Sequence, residues 1–100
     1  MTLYPTTRVS PESLRRMFAE LYEGKIEAGL LREVVIYDRP PASTSGQPEG
    51  TRSEVLNYLD ENGRIVVRVH RFVNPDGTLG GSGLMDPVEL LHDGRIYRSR

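Results

Sequence analysis

Two histidines, His70 and His92, are the side chains that change charge near neutral pH without help from their surroundings. Cysteine is absent, which removes disulfides, Cys-ligated zinc, iron–sulfur clusters and thiol catalysis together. His92 stands just before Asp93-Gly94 and reads as a solvated residue at the end of an element. His70 sits in an apolar, alternating stretch close to Arg68. A histidine beside an arginine among apolar neighbours suits an anionic or aromatic ligand, or acid–base work on a phosphodiester. In that second case His70 would move the proton, Arg68 with Arg98 or Arg71 would neutralise phosphate, and Tyr97 would assist. No motif commits any of these residues to catalysis: the chain shows no Ser-His-Asp signature and no HExxH zinc helix.

Other candidate motifs dissolve on their own chemistry. Gly77 to Gly83 is glycine-rich but lacks the Gly-Lys-Ser/Thr of a phosphate loop, and Asp86 stands where a dinucleotide motif needs glycine. Asp60-Glu61-Asn62-Gly63 has its glycine too early for a calcium loop, and no bidentate glutamate follows at the required place. Asp86, Glu89 and Asp93 read as helix-capping carboxylates. No metal and no cofactor is expected.

The chain has 100 residues, the size of one domain, so a single α+β domain is expected over 1–100, with 39–51 as a flexible loop. Thirteen basic residues stand against 14 acidic ones, a net charge of −1. Nucleic-acid binders usually carry a basic surplus, so this balance speaks against nucleic acid as partner, although it leaves room for a local basic patch. Lys25 is the only lysine, an arginine bias of the kind G+C-rich bacterial genomes produce. Residues 1–10 show no basic region followed by an apolar run, and no stretch has the apolar length of a membrane span. A cytoplasmic location without membrane contact is therefore expected.

The elements that must position these residues are expected to begin with a short N-terminal strand, followed by a helix. Ser10-Pro11-Glu12 supplies a capping hydroxyl, a proline at the first helical position and a carboxylate at the positive dipole end. Leu14, Met17, Phe18, Leu21 and Tyr22 recur at helical spacing. A break near Gly24 is expected, with a short continuation to Ala28. Leu31 to Asp38 reads as a strand stopped by Pro40-Pro41, and the Pro/Ser/Gly-rich stretch after it as a solvated connection. Asn62-Gly63 predicts a two-residue hairpin turn between Arg52–Asp60 and Arg64–Val73. That turn pairs Leu59 with Val66, Tyr58 with Val67, Asn57 with Arg68, Leu56 with Val69, Val55 with His70, Glu54 with Arg71, and Ser53 with Phe72. Asp86-Pro87 predicts a short helical turn ended by Asp93-Gly94, and Arg95 to Arg98 an edge strand. The fold class is thus α+β: one main N-terminal amphipathic helix on a small antiparallel sheet containing a central hairpin, plus a C-terminal helical turn and edge strand.

In this register one face, with Leu56, Tyr58, Ile65, Val67 and Val69, is apolar and should receive the helix. The other carries Val55, Asn57, Leu59, Val66, Arg68, His70 and Phe72 and is half apolar too. One helix covers one face, and an apolar face left open marks an interface. The reading is a small bacterial accessory or regulatory protein, a non-enzymatic interaction module that forms a homodimer or meets a protein partner through this second face. The alternative is a small RNA-cleaving enzyme using the His70 and Arg68 cluster. The order of elements resembles the compact ribonuclease toxins of bacterial toxin–antitoxin pairs, in topology and not in any motif. The chain departs from them in lacking a basic surplus and in having too little helix before the sheet.

Overall fold

Ser10 starts the helix as its residue type dictates: its Oγ accepts the amide hydrogen of Ser13 at 3.1 Å. The computed structural model describes residues 4–100; Met1, Thr2 and Leu3, part of the opening stretch read as lacking a signal sequence, lie outside it. Helix α1 is regular over Pro11–Phe18, widens to a π-helical segment over Ala19–Glu23, and closes with the α-helical turn Gly24–Glu27. Gly24 is helical, so the expected break there is absent. The helix instead ends at Gly29, whose φ of 71° only glycine adopts cheaply. There the amides of Gly29 and Leu30 turn back to the carbonyls of Ile26 and Lys25. The π segment has a packing consequence. A regular helix drifts sideways at every fourth residue, whereas a wider turn holds positions four apart in line. Leu14, Phe18 and Tyr22 are accordingly all buried, and Ile26 packs against the same core.

Six strands form one sheet: β1 (Thr6–Val9), β2 (Arg32–Arg39), β3 (Arg52–Leu59), β4 (Ile65–Val73), β5 (Asp86–His92) and β6 (Arg95–Ser99). Their spatial order is β1-β6-β5-β4-β3-β2. All neighbours are antiparallel except β1 and β6, which run parallel. The molecule is therefore α+β, with a mostly antiparallel sheet. No helix among the described residues is long and apolar enough to cross a membrane.

Two C-terminal expectations are overturned. Residues 86–92 form strand β5, not a helical turn. Asp93-Gly94, read as a helix stop, is the two-residue turn of a β5–β6 hairpin, with His92 opposite Arg95 and both turn residues at positive φ. Asp86 does not cap a helix; it pairs with Arg15 on α1. Strand β6 is also not an edge, because β1 lies outside it.

Strands β3 and β4 pair Ser53 with Phe72 through to Tyr58 with Val67. Beyond that point the register shifts, and Leu59 meets Ile65 rather than Val66. The cause is the turn, which takes three residues. Gly63 at φ 78° donates to the carbonyl of Asp60, and the Asp60 carboxylate accepts the amides of Asn62 and Arg64. The bulge turns Ile65 out of the core, leaving it 46% exposed. The core consists of Leu14, Phe18 and Tyr22 of the helix against Leu56, Tyr58, Val67, Val69 and Leu90 of the sheet, with Val66 also buried.

The stretch between β2 and β3 contains the single 3₁₀ turn Ser43–Ser45 and then folds back beside the β4–β5 connection. Gly50 comes so near Pro75 that a Cβ would lie 2.9 Å from its ring.

Candidate functional site

Alternation along the strands turns one set of side chains to the helix and the other set away from it. The face away from the helix is organised in three bands. Its middle band is a polar row crossing four strands, Asn57–Arg68–Glu89–Arg98, one residue from each. Arg68 Nε donates to Asn57 Oδ1 at 2.9 Å, and its Nη1 lies 3.6 Å from a Glu89 oxygen. Arg98 Nε meets the other Glu89 oxygen at 3.4 Å. Glu89 thus bridges two arginines, a role quite unlike the capping its position in the sequence suggests.

Toward the 60–64 and 93–94 turns lies an apolar band. Tyr4, Ile65, Val66, Leu91 and Ile96 line a groove of about 360 Å³ that the Arg68–Glu89 pair bounds. Val66 is buried, while Leu59, Leu91 and Ile96 are half-buried.

At the opposite end stand Tyr37, Val55, His70 and Phe72. His70 Nε2 lies 2.8 Å from Ser53 Oγ, and its ring meets that of Phe72 edge-on, centroids 4.7 Å apart. Phe72 is held from the other side by the β4–β5 connection, where a Cβ on Gly81 would come within 3.0 Å of its ring.

The residues proposed for phosphodiester chemistry are brought together only in part. Tyr97 pairs with Leu90 and packs against the core on the helix side. Arg71 is also on that side, bound by Glu54 at 2.9 Å and Glu33 at 3.2 Å. Arg68 and Arg98 share the outer face with His70, but each is engaged by Glu89. His92 is paired with its neighbour Asp93 at 3.3 Å. The seven residues assigned to the second face from sequence lie on it together: Val55, Asn57, Leu59, Val66, Arg68, His70 and Phe72.

The chain matches no family model, no curated protein and no solved structure.

Sequence reasoning missed Glu89, Leu91, Ile96 and Arg8 as members of this face. The signals were present: Glu89 and Leu91 alternate with the buried Leu90, and Asp93-Gly94 is a hairpin dipeptide. Pro87 after Asp86 mimicked a helix start and hid them.

The open edge β2 is poorly suited to pairing. It carries a bulge between Val35 and Tyr37 and charged residues at both ends. Antiparallel pairing of two β2 strands with their faces matched would set Arg32 against Arg39 and Glu33 against Asp38, like against like.

Proposed function

We propose that this chain is a non-enzymatic interaction module that self-associates, with the apolar band of the helix-free face as its contact. The observation that carries the reading is the groove lined by Ile65, Val66, Leu91 and Ile96. Apolar surface removed from water there contributes about 25 cal/mol per Å². The neighbouring polar row supports the reading in a second way. Burying an unpaired charge costs several kcal/mol, but Asn57, Arg68, Glu89 and Arg98 already satisfy one another. The apolar band can therefore be covered without isolating the Glu89 carboxylate at its border. The bulged, charged β2 edge disfavours association by pairing through β2.

Light scattering after gel filtration, over a range of concentrations, tests the reading. A dimer that Leu91→Glu converts to a folded monomer supports it. A monomer at all concentrations, or a dimer indifferent to Leu91→Glu and Ile96→Glu, overturns it.

A further inference from the structure

The near-neutral whole chain conceals a separation of charge across the sheet. Arg8 lies beside Arg98, Arg32 beside Leu59 and Arg39 beside Ser53, so three further arginines join Arg68 and Arg98 on the helix-free face. Glu89 is the one carboxylate of the described strand residues whose pairings lie on this face, since Asp86, opposite His70, reaches Arg15 of the helix. Glu33, Asp38 and Glu54 sit on the helix side, paired with Tyr58, Arg71 and Arg52. Five arginines against one glutamate, in a chain of net charge −1, leave the rest of the surface acidic. Attraction for a polyanion is thereby confined to one face.

The same face presents aromatic rings at the end remote from the apolar band. Tyr37 is 58% exposed with the Arg39 guanidinium 5.4 Å from its ring centre. Tyr37, Val55 and His70 form one row across β2, β3 and β4, and Phe72 stands in the next. Arginines that hold phosphate and rings that stack on bases, side by side on an open antiparallel sheet, are what a single strand of nucleic acid needs. An acidic protein surface would use the arginines but has no use for stacking rings. A duplex hides its bases from them.

We propose that the helix-free face binds single-stranded nucleic acid, with Arg8, Arg32, Arg39, Arg68 and Arg98 along the backbone and Tyr37 and His70 against the bases. The site adjoins the apolar band at Arg68 and does not depend on self-association.

The test is fluorescence anisotropy of the full chain with a labelled oligouridylate about a dozen nucleotides long. Binding should weaken about tenfold or more between about 50 and about 200 mM salt. Arg8→Ala with Arg39→Ala should reduce the steepness of that salt dependence by roughly 0.7 for each phosphate that is no longer neutralised. Tyr37→Ala should weaken binding at least about fivefold with the salt dependence unchanged. Arg16→Glu with Lys25→Glu, on the exposed side of the helix, should bind as the parent does, and circular dichroism checks that each variant folds.

No binding at low salt overturns the proposal, as does binding that the face variants leave intact. Equal affinity for a duplex of the same sequence overturns it, as does poly-glutamate competing as well as the oligouridylate. Light scattering on the same samples reports self-association separately, so failure of one reading is distinguishable from failure of the other.

Discussion

Ser53 Oγ and His70 Nε2 lie 2.8 Å apart across the β3–β4 ladder, engaging one of the two imidazole nitrogens. The imidazole also meets the Phe72 ring edge-on, with centroids 4.7 Å apart. A histidine held by Ser53 and Phe72 in this way stiffens the sheet face.

His70→Ala should therefore act on stability and not on turnover. It removes one side chain–side chain hydrogen bond and one aromatic contact, together about 1–2 kcal/mol. Urea denaturation should show that loss. An RNA oligonucleotide incubated with either protein should remain intact on a denaturing gel. Cleavage by the parent that disappears in a folded His70→Ala variant would restore the enzymatic reading.

The helix was legible because three independent cues, the Ser10 cap, Pro11 and the apolar spacing, agree. The β3–β4 pairing was legible because alternation and a turn dipeptide point to the same register between Ser53/Phe72 and Tyr58/Val67. What escaped was non-local or ambiguous. The Asp60 carboxylate selects a three-residue turn over the two-residue one that Asn62-Gly63 favours. Pro87 is tolerated in β5, so its helix-starting reading fails in this context. The parallel β1–β6 pair joins the two ends of the chain, and nothing local foretells it. The charge separation follows from β5 and β6 entering the sheet, so it could not be seen while 86–93 read as helix.

Phe18 measures how far the helix–sheet contact holds the fold. Its side chain is 1% exposed at the centre of the core. Phe18→Ala should cost about 3–5 kcal/mol, transfer loss and cavity together. Set against the roughly 5–15 kcal/mol of a small domain, this brings the chain close to unfolding. Thermal denaturation followed by circular dichroism should show a large drop in Tm; a shift of a degree or two would mean that the helix is dispensable.

Glu89 separates stability from ligand binding. Glu89→Gln keeps the shape of the side chain but leaves Arg68 and Arg98 without their shared counter-charge. The carboxylate is 23% exposed, so solvent screens it in part, and the cost should be about 1 kcal/mol. High salt should shrink the difference from the parent. The same change should raise affinity for the oligouridylate, because the one negative group of the face is gone. Loss of stability with loss of affinity would place Glu89 as an organiser of the arginines instead.

Tyr58 ties the folded state to alkaline pH. Its ring is 2% exposed and its hydroxyl donates to Glu33 at 2.9 Å, with Arg71 and Glu54 completing the cluster. Burial first, and the bond to Glu33 second, push the phenol well above its ordinary value of 10.0. The neutral phenol is thus favoured in the folded chain. As pH climbs past about 10, the unfolded chain releases its phenolic proton first, binds fewer protons than the native state, and becomes more favourable relative to it. Stability should be complete below that pH and fall above it. Tyr58→Phe keeps the buried ring and should flatten the decline, leaving the part due to Tyr22, whose hydroxyl is also raised by burial and donates to the Leu91 carbonyl. Urea midpoints measured between about pH 8 and about pH 11 give the slope. Parent and Tyr58→Phe curves that run parallel would show that Tyr58 contributes nothing to it.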